Sequence, residues 1–299
     1  MKGTPRVCNT PHTLAWRALM AQIIDGKAVA QAVREEVRDE VAAWVAAGNE
    51  PPGLATVLVG DDPASAIYVN GKQKASAEAG IRGFDHRLPH DTEHREVAKL
   101  LDELNEDPSV SGILLQLPTP PQVDGGALTE RIWPSKDVDG LTPISAGLLA
   151  KGRPGLRPAT PSGVMELLRR YDVSLEGAEA VVLGRSDLVG RPVSALLLAA
   201  NATVTMCHSR TRNLADVCRR ADVLVAAVGI PELVRGDWVK EGAVVIDVGI
   251  NRTDDGLKGD VEFAGASERA RLITPVPGGV GPMTIAMLLR NTMTAAKAA

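Results

Sequence analysis

Tyr68 and Lys72 stand four residues apart in the apolar segment YVNGKQK. On a helix this spacing puts a phenol and an amine on one face, one turn apart. A free lysine has a pKa of about 10.4, too high for a base at neutral pH, but burial disfavours its charged form. The pair is thus either a desolvated base beside an aromatic ring or a surface lysine beside a half-buried tyrosine. Gln116 sits in LLQLP, at the end of an apolar run where α/β sheets place ligands. It is equally an amide satisfied by nearby backbone. Asp139, in KDVDGL, precedes a glycine and reads either as a ligand-binding carboxylate or as a turn aspartate. Thr160, in ATPSG, reads as the cap of the helix after it. His86, His90 and His94 share the four-residue spacing, but Pro89 interrupts any helix there, so no metal site is expected.

A second group lies in VVLGRSDLVGRP, which runs from a strand through a glycine turn into a helix. Glycine lets backbone N–H groups approach a pyrophosphate, which the helix N-terminus then stabilises. Gly184 and Gly190 are in place, while Arg185 and Ser186 occupy the interior of the turn. By itself the pattern also fits a plain strand-to-helix turn. The next strand, ATVTMC, ends in His208, Ser209, Arg210 and Thr211, with no carboxylate to accept from a ribose 2′-hydroxyl. Arg185 and Ser209 can donate to a 2′-phosphate instead, which favours NADP over NAD. Gly278, Gly279 and Gly281 in TPVPGGVGPMT leave backbone amides open to a ligand, or form an ordinary loop before the last helix.

The elements that must hold these residues can be read from periodicity. Val29, Val33, Val37, Val41 and Val45 recur every four residues, predicting an amphipathic helix that Gly48 and PPG stop. LATVLVG is a short apolar strand, and DDPAS opens the helix that carries Tyr68 and Lys72. A strand near IRGFDHRL, a helix from about Glu93 to Asn105 and the strand GILLQLP complete a first series. After KGRPGLRPATP a second series begins, with strands AEAVVLG, ATVTMCHS, VLVAAVG and VVIDVGI. Apolar strands alternating with helices predict an α/β protein with parallel sheets covered on both faces. The boundary between two αβ domains is expected near residue 150. The final helix, from Gly281, is expected to pack back on the first. Residues 1–19 lack acidic residues and do not match the pattern of the remaining chain. They read as a poorly ordered extension before AQIIDGK, the opening strand.

Composition narrows the function classes. Aromatics make up only 3% of the 299 residues, so the cores must be Val, Leu, Ile and Ala. A net charge of -4 without a basic block gives no reason to expect nucleic acid or an anionic membrane as partner. No apolar run is long enough to span a bilayer. Cys8, Cys207 and Cys218 are odd in number and lack CxxC spacing, which suits a reduced, cytoplasmic chain.

YVNGK, LLQLP, KDVDGL, VVLGRSDLVGRP, VVIDVGIN and TPVPGGVGPMT occur together and in this order. In these motifs residues 20 to 297 resemble the bifunctional methylenetetrahydrofolate dehydrogenase/methenyltetrahydrofolate cyclohydrolase family, FolD. The resemblance implies a catalytic, folate-binding domain at 20–150, completed by the C-terminal helix 282–299. It implies a Rossmann NADP-binding domain at 151–281, a cleft between the two, and a cytoplasmic homodimer joined through the Rossmann domains. The implied reactions are NADP-dependent oxidation of 5,10-methylenetetrahydrofolate and hydrolysis of the methenyl product to 10-formyltetrahydrofolate. Lys72 then becomes the base for water, Gln116 the residue that orients it, Tyr68 a stacking partner and Asp139 the pterin-binding carboxylate. Arg185 and Ser209 match the residues that hold the 2′-phosphate. Gly184, Ser186, Gly190, Thr160, Gly229 and Ile250 are expected against the cofactor, and Gly281 and Pro282 against the substrate. Short-chain dehydrogenases also carry Tyr-x-x-x-Lys, but after the glycine turn and in one domain. A two-domain dehydrogenase of a shikimate-like acid and a catalytically silent NADP sensor remain as alternatives.

Overall fold

The computed structural model describes residues 20–299, so the expected extension at 1–19 lies outside the described residues. The first series comprises β1 (Gln22–Ile23), α1 (Gly26–Ala46), β2 (Gly53–Val59), α2 (Pro63–Glu78), β3 (Arg82–Leu88), α3 (His94–Glu106), β4 (Gly112–Leu115), α4 (Gly125–Thr129) and α5 (Pro143–Ala150). The second comprises α6 (Ala159–Arg170), β5 (Glu179–Leu183), α7 (Gly190–Ala199), β6 (Thr203–Cys207), α8 (Leu214–Cys218), β7 (Val223–Ala226) and β8 (Val244–Asp247). A hairpin of β9 (Asn251–Thr253) and β10 (Gly256–Lys258), then α9 (Phe263–Ser267), β11 (Leu272–Ile273) and α10 (Gly281–Ala298) close the chain.

Two parallel sheets result. A small one runs β3-β2-β4 and a large one β1-β11-β8-β7-β5-β6. Successive strand residues face opposite ways, so each sheet feeds two cores. Val182, Val225 and Ile246 enter the same cluster as Leu54 and Leu114 of the small sheet, so one core runs through both halves. Val181, Leu224 and Val245 supply the opposite face of the large sheet. Ala55, Val57 and Ile113 supply that of the small sheet. The valine stripe of α1 is buried from Val29 to Val41, whereas Val45 is 40% exposed where the helix ends.

β1 pairs in register with β11, Gln22 opposite Leu272, and so belongs to the large sheet rather than beside β2. A two-residue strand carries no periodicity that could name its partner. α10 returns across α1 and α6 and reaches α2, β2 and β4. Polar contacts fasten this crossing. The Tyr171 hydroxyl accepts from Asp25 N at 2.7 Å, and Glu36 of α1 accepts from Arg170 of α6 and Arg290 of α10. The Arg170 hydrogen bond leads the influences that hold the Glu36 carboxyl below its usual range.

Candidate active site

Asp62 caps α2 by accepting from Ser65 N at 2.7 Å, and Pro63 fits the first turn. The helix then presents Tyr68 and Lys72 on one face. Tyr68 is 51% exposed and Lys72 only 8%. Gln116 lies just past the carboxyl end of β4, where its backbone N–H donates to Val57 O at 2.8 Å. Its Nε2 donates to Leu117 O at 2.6 Å, which turns the amide oxygen toward α2. Lys72 Nζ donates to that oxygen at 3.0 Å. The amide therefore reads the lysine directly, and is not spent on backbone alone.

Asp139 also belongs to this arrangement, from within a turn that Gly140 N closes on Asp137 O at 3.0 Å. Asp137 carries the turn, accepting from Leu141 N at 3.1 Å and Thr142 N at 2.8 Å. Asn291 of α10 pins the same stretch by donating to Val138 O and Arg157 O, both at 2.8 Å. Asp139 is thereby left within electrostatic reach of Lys72. Burial lowers the Lys72 pKa, and Asp139 partly opposes the shift. Burial raises the Asp139 pKa; Lys72 opposes that and Asp137 adds to it. Both groups are displaced toward neutrality, as expected of an amine and a carboxyl removed from water together.

A cleft of about 380 Å³ opens over the amine, and its walls include Tyr68, Lys72, Gln116, Thr160, Ile250 and Gly281. The first three come from the first half of the chain and the others from the second. Thr160 does not cap its helix, because Pro158 holds that position. Its hydroxyl instead pairs at 2.8 Å with that of Thr284, another wall residue and one that sequence reasoning passed over. Pro282 sits in the first turn of α10 beside Gly281 and is not itself part of the wall.

A second pocket, of about 290 Å³, lies at the carboxyl ends of β5, β6 and β7. Gly184, Arg185, Ser186 and Ser209 line it. Gly184 has φ +110°, and a Cβ there would lie 2.1 Å from Ala227 O. Gly190 serves the turn from behind, because a Cβ on it would meet Gly184 O at 2.2 Å. Ser186 Oγ is engaged in accepting from Val189 N at 3.2 Å, so its hydroxyl closes the turn into α7. Arg185 and Ser209 are exposed at the rim, and Arg185 has no carboxylate partner among the described residues. Gly229 stands between the lining residues Val228 and Ile230, while Thr160 and Ile250 face the other cleft. A dinucleotide fits this place: backbone amides at a glycine turn, a helix start behind them, and an unpaired cation at the rim. Gly184→Ala is expected to abolish nucleotide binding and to destabilise the fold by about 3 kcal/mol, through the clash and the positive φ together. Nucleotide titration and thermal denaturation would check both.

Among known proteins, the catalytic domain of the tetrahydrofolate dehydrogenase/cyclohydrolase family matches residues 24–139, and the NAD(P)-binding domain of that family matches residues 158–299. A bifunctional protein FolD 2 from Frankia alni is 63% identical over 281 residues, covering 94% of this chain and 98% of that protein. The crystal structure of the bifunctional FolD methylenetetrahydrofolate dehydrogenase/cyclohydrolase from Campylobacter jejuni superposes with a TM-score of 0.91 at 46% identity. It covers 93% of this chain and 99% of that one. The Trypanosoma brucei FolD structure, complexed with NADP cofactor and inhibitor, gives a TM-score of 0.88 at 43% identity, covering 94% and 98%.

Proposed function

This chain belongs to the tetrahydrofolate dehydrogenase/cyclohydrolase family, and from that premise we propose how its residues divide the work. The enzyme oxidises 5,10-methylenetetrahydrofolate with NADP and hydrolyses the methenyl product to 10-formyltetrahydrofolate. The folate lies in the cleft over Lys72, with its ring on Tyr68 and its pterin amino group and ring N–H donating to Asp139. The nucleotide lies along Gly184, with its 2′-phosphate between Arg185 and Ser209. Bound there, the nicotinamide supplies the hydride acceptor. For that step the protein aligns the one-carbon bridge and excludes water.

Hydrolysis needs more from the side chains. Water adds to the methenyl carbon and one of its protons passes to Lys72 Nζ; the C–N5 bond then breaks as the formyl C=O forms, and the remaining hydroxyl proton is transferred to N5. One proton is released overall. Gln116 holds the lysine's direction by its 3.0 Å contact. The observation that carries this reading is a lysine only 8% exposed, held by an oriented amide at the edge of a cleft built from both halves.

The pH dependence tests it. The neutral amine is the active form, so the hydrolysis rate rises as pH increases through the Lys72 pKa. Burial has moved that pKa below the ordinary lysine value, and the negative charge of Asp139 holds it up. Asp139→Asn removes that support. The rising limb of the kcat–pH profile is then expected to move toward acid, even as KM for the folate increases. A limb that stays in place or moves toward alkali refutes the coupling.

We also propose a cytoplasmic homodimer joined through the large sheets. In support, β6 is the outer strand of that sheet, Met206 on it is exposed, and Leu198 of the adjacent α7 is 64% exposed. Cys207 and Cys218 are unbridged, which suits a reducing compartment. No described helix is long and apolar enough to cross a membrane.

A further inference from the structure

Val228, Gly229 and Ile230 come just after β7 at the carboxyl end of the large sheet, and their three backbone N–H groups converge on one side chain. Asp260 Oδ2 accepts from Val228 N at 2.6 Å and Gly229 N at 2.9 Å. Asp260 Oδ1 accepts from Ile230 N at 3.0 Å and from Asn251 Nδ2 at 2.9 Å. Asp260 has no exposed surface, and no ion pair reaches it among the described residues. A second carboxylate holds the first. Asp247 Oδ1 accepts from Asp260 N and Gly249 N, and its Oδ2 accepts from Val261 N, all at 2.9 Å. Room for this pair is made by two glycines. A Cβ on Gly249 would lie 2.3 Å from Asp260 Cγ, and one on Gly259 would lie 1.9 Å from Asp247 Oδ2.

Burying two carboxyl groups without a cation is costly unless N–H donors fill their lone pairs. An apolar core would serve stability better, so the arrangement asks for another reason. The segments it fixes give one. Val228 and Ile230 line the nucleotide pocket, and Ile250, between Gly249 and Asn251, lines the folate cleft. The Asp260 carboxylate thus holds a wall of each, while touching neither cavity itself.

We infer that Asp260 is a positioning residue for hydride transfer: it fixes the Val228–Ile230 loop against Ile250, and so sets nicotinamide and folate in line. This rests on the folate and nucleotide assignments of the two pockets. An asparagine cannot replace it. Four N–H groups converge on two oxygens, and an amide would aim its own N–H₂ at two of them. Hydrolysis should be far less sensitive, because Lys72 is carried by α2 and Gln116 by the end of β4, in the other half of the chain.

Asp260→Asn is the main test, with Asn251→Ala as a milder variant that removes one donor and leaves the loop amides in place. Dehydrogenase activity is measured with methylenetetrahydrofolate and NADP. Hydrolysis is measured separately, with methenyltetrahydrofolate and no nucleotide. The expected result for Asp260→Asn is a fall of about 10-fold or more in dehydrogenase kcat/KM, as small misplacements of reacting groups produce. Hydrolysis should stay within about two-fold, and the kinetic isotope effect with a deuterated methylene bridge should rise as transfer becomes limiting. Asn251→Ala should shift the same quantities in the same direction by less. Parallel loss of both activities, tracking the unfolding temperature, would overturn the proposal; so would an unchanged isotope effect. Should Asp260→Asn fail to fold, Asn251→Ala decides the question by the same readouts. If the pockets themselves are misassigned, Arg185→Ala will leave KM for NADP unchanged, whereas failure of the Asp260 proposal alone leaves the Arg185 effect intact.

Discussion

Lys72→Met is expected to lower the hydrolysis rate by about 10²–10⁴-fold, the usual contribution of a positioned general base. Dehydrogenase turnover should fall by less than about 10-fold, since hydride transfer requires alignment and not a base. Methionine keeps the length and apolar stem of lysine, so the cleft retains its shape and the comparison isolates the amine. The Gln116 amide loses its partner in this variant. Gln116→Ala is therefore a useful companion, because it leaves the amine and removes only its orientation. The two activities are read separately, as loss of methenyl absorbance and as NADPH formation. An equal loss of both would remove any special role for Lys72 in the water step.

Arg185→Ala should raise KM for NADP by about 10–100-fold, the range expected when one charge-assisted hydrogen bond is lost. KM for NAD, which lacks the 2′-phosphate, should change by no more than about two-fold. Because Arg185 is exposed, the discrimination should shrink as salt is added and the charges are screened. Parallel changes for both nucleotides would refute the phosphate assignment.

Much of this architecture is legible in the sequence because its inner strands β2, β5, β7 and β8 are buried on both faces. Such strands read as continuous apolar runs, and LATVLV, EAVVL, VLVA and VVID all became parallel strands. The valine stripe likewise announced α1. What escaped has a common cause, namely that it depends on partners far away in the chain. β1 is too short to signal its sheet, so its pairing with β11 emerges only from the three-dimensional closure. Thr160 read as a cap because its local surroundings favour one. Its actual partner, Thr284, lies 124 residues on. In KDVDGL both aspartates suit a turn and both lie in it, and only the bonds to Leu141 and Thr142 show that the Asp137 side chain anchors it and leaves that of Asp139 unspent there. The Asp247–Asp260 pair left one faint trace, two acidic residues each next to segments of glycine and valine. A lone Asp beside Gly most often marks an exposed turn, so the trace could not be read.

The crossing of the chain has a consequence for its birth. A nascent polypeptide leaves the ribosome from its amino end, and modules that are continuous in sequence can fold as they emerge. Here the first described strand waits for β11, and α10, which covers α1 and α2, emerges after every other described element. The early half therefore leaves the exit tunnel with its apolar α1 face uncovered and cannot mature alone. The folate cleft, walled by Tyr68 and Lys72 on one side and Gly281 and Thr284 on the other, therefore closes only after α10 has emerged.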